Sequence, residues 1–96
     1  MVEHVVMWRL KEENRDKNRS RMLELLHSLK ENVDVVCELR VGTDFNRSSA
    51  AFDVCLIVTL DTPGDIEVYQ KHPYHQMVGE FVKDIVTERA IVDFEY

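Results

Sequence analysis

The chain has 96 residues, of which 45% are apolar and 31% charged, with a formal net charge of −6 and a pI near 5.1. These values fit one folded domain, numbered 1–96, and exclude a disordered acidic segment. No Lys/Arg stripe interleaved with aromatic residues appears, so nucleic acid is not an expected partner.

The opening MVEHVVMWRL is too short and too charged for a signal peptide, and no apolar run nears the roughly 20 residues that span a bilayer. The expected location is therefore cytoplasmic, with no membrane partner. Residues 3–10 read as a strand of β-branched and aromatic types. Alternation puts His4, Val6, Trp8 and Leu10 on one face and Val5 and Met7 on the other. Residues 12–32 read as a helix with Met22, Leu25, Leu26 and Leu29 along one stripe, and Glu12 to Arg19 as its solvated opening. Period two returns from Val33 to Thr43, and again over Ala50–Leu60, with a polar loop between them. The short connection implies an antiparallel hairpin. Cys37 and Cys55 each lie in an apolar alternating stretch outside any CxxC motif, as packing residues do.

A second helix begins at Asp61-Thr62-Pro63-Gly64-Asp65, where Thr62 is the expected cap and Asp65 its capping-box partner. It breaks at His72, because the residue before a proline is driven from helical geometry. Pro73 opens the next piece, with Tyr74, Met77, Val78, Phe81, Val82 and Ile85 as its apolar stripe. Residues 87–96 close the chain as a strand. The order β-α-β-β-α-β predicts an α+β, ferredoxin-like subunit with a four-stranded antiparallel sheet and helices on one face. Both faces of the first strand and of the strand at 50–60 are apolar, so the sheet face without helices would be an apolar patch. A homodimer that packs two such faces together, forming a dimeric α/β barrel with a cavity between protomers, is the expected solution.

Residues 69–75, YQKHPYH, gather two histidines and two tyrosines around Pro73. Acid–base chemistry, a metal site or a plain corner between helices would each use such residues. Pro73 interrupts the helical register that would set His72 and His75 on one face, and no CxxC or HExxH accompanies them, so no metal is expected. Together the stretches HVVMWRLK, GTDFNRSSAAFDVCLIVTLDT, VYQKHPYHQMVGEFV and IVDFEY resemble the stress-responsive A/B barrel, or Dabb, family. The most specific elements are His4 in the first strand, the run Tyr69-x-x-His72-Pro73-x-His75, and the terminal pair Asp93-Phe94.

The resemblance implies a dimeric barrel of ferredoxin-like subunits. It also implies, from plant relatives that cyclise polyketides without a cofactor, an acid–base pair at Tyr69 and His75, with His4 in the pocket. On their own chemistry these residue types suit the task. An imidazole titrates near pH 6.5 and serves as base, while a phenol donates a hydrogen bond to a developing oxyanion. His75 also stands near a helix start, where the dipole disfavours imidazolium. Tyr69 and His75 are thus the candidate catalytic residues. His4, Trp8, His72 and Asp93 are the candidate substrate-binding ones, with Asp93 placed to orient a histidine. Ordinary packing offers an alternative for each: His72 as the boundary before Pro73, Trp8 as interface packing, the others as hydrogen-bonded core residues. Three functions fit: a cofactor-free cyclase or lyase on an apolar or aromatic carbonyl compound, a non-catalytic ligand-binding dimer, and, by fold analogy, a cofactor-free monooxygenase.

Overall fold

The structure, a computed structural model that describes residues 1–96, turns the alternation of the first segment into β1 (Val2–Leu10). It continues with α1 (Arg15–Asn32), β2 (Glu38–Thr43), β3 (Val54–Leu60), α2 (Gly64–Lys71), α3 (Pro73–Ile85) and β4 (Val86–Glu95). The strands form one sheet in the order β2-β3-β1-β4, each pair antiparallel. This is the ferredoxin-like arrangement, with the long helix α1 and the broken pair α2–α3 packed on one face. No helix is long and apolar enough to cross a membrane.

Three boundaries differ from the sequence expectation, through local as well as long-range contacts. The strand expected from Val33 starts only at Glu38. Val33 closes α1 by donating to the Leu29 carbonyl (3.0 Å), and Val36 donates back to Val33 (3.1 Å). Both valines are buried, three residues apart, so their apolar pattern belongs to a turn rather than to a pleat. The strand expected from Ala50 starts at Val54. Asp53 stands at the end of the ladder: its N–H donates to the Trp8 carbonyl (2.8 Å), its carbonyl accepts from the Asp44 N–H (3.0 Å), and its carboxylate accepts from the Leu10 N–H (2.8 Å). Phe52 accordingly lies outside the strand, its ring 4.1 Å beneath the Arg9 guanidinium. The helix expected from residue 12 begins at Arg15, after Asn14 in the left-handed region (φ 53°), a conformation asparagine tolerates well. Arg15 is not part of a solvated face. It is mostly buried, donating to the Leu10 carbonyl (3.0 Å) and pairing with Asp53.

At α2, the reciprocal arm of the expected capping box forms: the Thr62 N–H donates to the Asp65 carboxylate (3.2 Å). The Thr62 hydroxyl itself makes no cap bond.

Register decides which face of β1 turns toward the helices. The row His4, Val6, Trp8 is buried, continued by Val58, Leu56 and Val54 on β3 and by Asp93, Ile91 and Arg89 on β4. The opposite face carries Val5 and Met7 with Ile57 and Cys55 on one side, and Val92, Ala90 and Phe94 on the other. No element of the chain covers it, and Val92 is 61% and Phe94 48% exposed. The core between sheet and helices includes the expected Met22, Leu25, Leu26 and Leu29 of α1 and Val78, Val82 and Ile85 of α3. Met77, read as part of that stripe, points outward instead and is 47% exposed.

Candidate functional site

A pocket of about 360 Å³ opens between the helix-facing side of β1 and β4 and the helices α2 and α3. Its floor is Val6, Trp8 and Leu56, with Val78 and Val82 above, so the lining is mainly apolar. Polar side chains are the minority of the lining. Such a ratio is usual for sites that hold small organic molecules.

The break between α2 and α3 builds the polar part. His72 adopts extended geometry (φ −60°, ψ 133°), as the residue before a proline prefers. Its Nδ1 accepts from the Tyr74 N–H (3.0 Å), capping α3 while Pro73 occupies the first helical position, where its missing donor costs nothing. In an unbroken helix, residues six apart lie about 9 Å along the axis and about 240° around it. Across this corner the Tyr69 and His75 rings instead meet at 4.5 Å between centroids, edge to face at 65°. The His4 ring lies on the other side of Tyr69, 5.6 Å away at 67°. Tyr69 therefore stands between two imidazoles.

The Tyr69 side chain is fully buried, and its hydroxyl has no hydrogen-bond partner. Burial pushes its pKa far above the ordinary tyrosine value, so the phenol stays neutral and remains a donor. For His75 burial acts in the opposite sense and lowers the pKa from 6.5. Positive charge near His4, Arg89 and His72 adds to that, against the upward pull of the Gln70 carbonyl. At neutral pH His75 is consequently uncharged and able to take a proton. His4 is buried and its Nδ1 pairs with the Asp93 carboxylate from the neighbouring strand. Because an ionised carboxylate only accepts, Nδ1 carries the proton and the ring is held in one orientation.

Of the residues singled out from the sequence, His4, Trp8, Tyr69 and His75 converge on this pocket. Asp93 stands behind His4 and does not line it. His72 is a correction: its side chain serves as the α3 cap and lies outside the lining. The pocket lies within one chain, between sheet and helices, apart from the cavity expected between two paired sheet faces. No group of three or more His, Cys, Asp or Glu, with His72 and His75 or without them, is arranged to hold an ion. Sequence reasoning missed Gln70, Lys83 and Arg89, which line the pocket too. For Arg89 the signal was present, since two-residue periodicity along β4 places it with Ile91 and Asp93 on the side facing His4.

A ferredoxin-like sheet with a tyrosine between two histidines, in a recess under the helices, defines the class of this domain. Residues 2–96 match the family model of the stress responsive A/B barrel domain (Dabb), and the chain belongs to that family. Among solved structures, a dimeric protein of unknown function and ferredoxin-like fold from Bacteroides fragilis is 23% identical, with a TM-score of 0.89 over 99% of this chain and 95% of that one. A dimeric ferredoxin-like protein of unknown function from Thermobifida fusca is 18% identical, with a TM-score of 0.89 over 99% and 90%. The hydroxynitrile lyase of Passiflora edulis is 15% identical, with a TM-score of 0.86 over 97% and 90%. At these identities the likeness is one of fold. No curated protein matches the chain.

Proposed function

We propose that the chain works as a homodimer in which each subunit holds a small carbonyl compound in its own pocket and transfers a proton on it, using Tyr69 and His75 and no cofactor. The observation that carries this reading is the Tyr69 hydroxyl, fully buried at the pocket without a partner and packed against His75. A buried donor left unsatisfied costs about 1–3 kcal/mol, a cost that a substrate oxygen would remove. Neutral His75 takes the proton from the carbon next to the carbonyl. The C–H electron pair becomes the C=C bond of an enolate, the carbonyl π pair moves onto the oxygen, and the Tyr69 O–H donates to that oxygen. The enolate then reacts with an electrophile or is protonated again by the imidazolium. His4, fixed by Asp93, supplies a second polar edge. A hydroxynitrile lyase on the same fold is consistent with proton transfer beside a small oxygenated carbon.

Pairing of two copies is supported by the uncovered sheet face, where Val5, Met7, Ile57, Val92 and Phe94 form one apolar surface, and by the dimeric state of structural neighbours. Sedimentation at micromolar concentration should give a dimer for wild type and a monomer for Val92→Asp; a monomeric wild type would sink that part.

The chemistry is tested by following deuterium uptake next to the carbonyl of phenylacetone in D₂O by NMR. Wild type should accelerate exchange, and Tyr69→Phe and His75→Gln should each remove about a hundredfold of that acceleration. Exchange and binding that match wild type in both variants would show the site to be misassigned. Binding that needs Tyr69 without any exchange would make the domain a ligand carrier.

A further inference from the structure

One group at this pocket has no place in the proton transfer itself. Arg89 lies on β4 directly opposite Trp8, on the helix-facing side of the sheet, and lines the pocket mouth. The chain has seven arginines. Six of them, Arg9, Arg15, Arg19, Arg21, Arg40 and Arg47, each pair with a carboxylate. Arg89 pairs with none. The reason is not a shortage of acids, since the chain carries 18 acidic residues against 12 basic ones. The other charges at the mouth are engaged: Lys83 with Glu80 at 2.9 Å and Glu88 with Arg9 at 2.6 Å. Asp93, four residues along the same strand face, is held by His4.

We infer that Arg89 anchors a carboxylate of the bound molecule, so that the pocket takes a small keto acid with its apolar body over Trp8 and its carbonyl at Tyr69. This deepens the proposed function and rests on the pocket being a small-molecule site. A guanidinium offers two parallel N–H donors that match a carboxylate, and an anchor at the mouth leaves the apolar interior for the rest of the ligand. The 360 Å³ volume stands near the lower end of ligand pockets, roughly 300–1,000 Å³, and suits a single-ring body. The anchor also couples to the base. Arg89 is one of the charges that hold His75 down, so a carboxylate bound to it makes His75 more basic as the substrate arrives.

The test compares 3-benzoylpropionate with its neutral amide, titrated by NMR into wild type and variants. Wild type should bind the acid about tenfold more tightly than the amide, as a charge-assisted pair at a partly solvated mouth provides. Arg89→Gln should abolish that preference while leaving the amide unchanged, and Arg89→Lys should restore part of it. Tyr69→Phe should keep the preference, so failure of the acid–base chemistry and failure of the anchor are told apart. Equal binding of acid and amide by wild type, a preference that survives Arg89→Gln, or no binding of the acid up to about 10 mM overturns the assignment.

Discussion

Two buried polar clusters sit on the helix side of this small sheet, and they are built on opposite terms. Around Asp53 every polar atom is answered. The carboxylate accepts from the Leu10 N–H and from Arg47 (3.0 Å) and pairs with Arg15, while the Asp53 backbone bonds to Trp8 and Asp44. Around Tyr69 the hydroxyl goes unanswered, though two imidazoles pack against its ring. Buried groups that are satisfied stabilise the fold and fix its geometry. A buried group left unsatisfied opposes folding and persists where a ligand completes it. The first cluster is therefore read as structure and the second as site.

Four measurements sharpen or break that contrast. The largest effect belongs to Asp53→Ala, which strands Arg15 and the Leu10 N–H and should cost about 3 kcal/mol, a fall in Tm of roughly 15 °C for a domain of this size. A loss below about 1 kcal/mol in urea unfolding would remove the structural role. Acid adds a second view of the same group. Burial alone would raise the Asp53 pKa, but the Leu10 N–H and Arg47 bonds and the charges of Arg15 and Arg47 bring it below 3.8. A carboxyl depressed in the folded state contributes stability that is complete above its unfolded pKa and lost as pH falls below that value toward the folded one. Stability should thus drop below about pH 4 in wild type and more shallowly in Asp53→Asn.

Next comes Tyr69→Phe. Because it deletes only an unpaired hydroxyl, thermal and urea unfolding should show no loss, and a gain of up to about 1 kcal/mol, while proton exchange collapses. Marked destabilisation would mean that the hydroxyl is bonded and structural. The smallest effect is electrostatic. Arg89→Gln removes one of the charges that depress His75, so the His75 pKa, followed by NMR titration, should move upward toward 6.5. A downward move would show that Arg89 does not act on His75.

Much of this was legible in the sequence, and for a local reason. Alternation along β1, the stripes of α1 and α3, and the helix break at His72-Pro73 all arise from neighbours within a few residues. The pairing of Tyr69 with His75 follows from that break. What stayed closed depends on contacts between distant segments. Both faces of β1 are apolar, so the residues alone did not say whether His4 or Val5 turns toward the helices; strand register and chain crossing decided it. Arg15 looked like one more surface charge until Asp53, 38 positions away, drew it inward. Val33 and Val36 looked like strand residues because a buried turn can be as apolar as a pleat. Arg89 sat in a readable alternation, but its lack of a partner is visible only when the other arginines are seen paired.

The corner at His72-Pro73 has a consequence for how such a site can change. Two side chains on one continuous helix are locked to its pitch, and moving one relative to the other means repacking the whole element. Here Tyr69 and His75 belong to separate rods, each seated in the core by its own residues, joined through the single residue His72. Substitutions at that articulation would re-aim the pair by fractions of an ångström while both rods stay in place. A lineage built on this fold can therefore retune its donor–base spacing for a new substrate without disturbing the core.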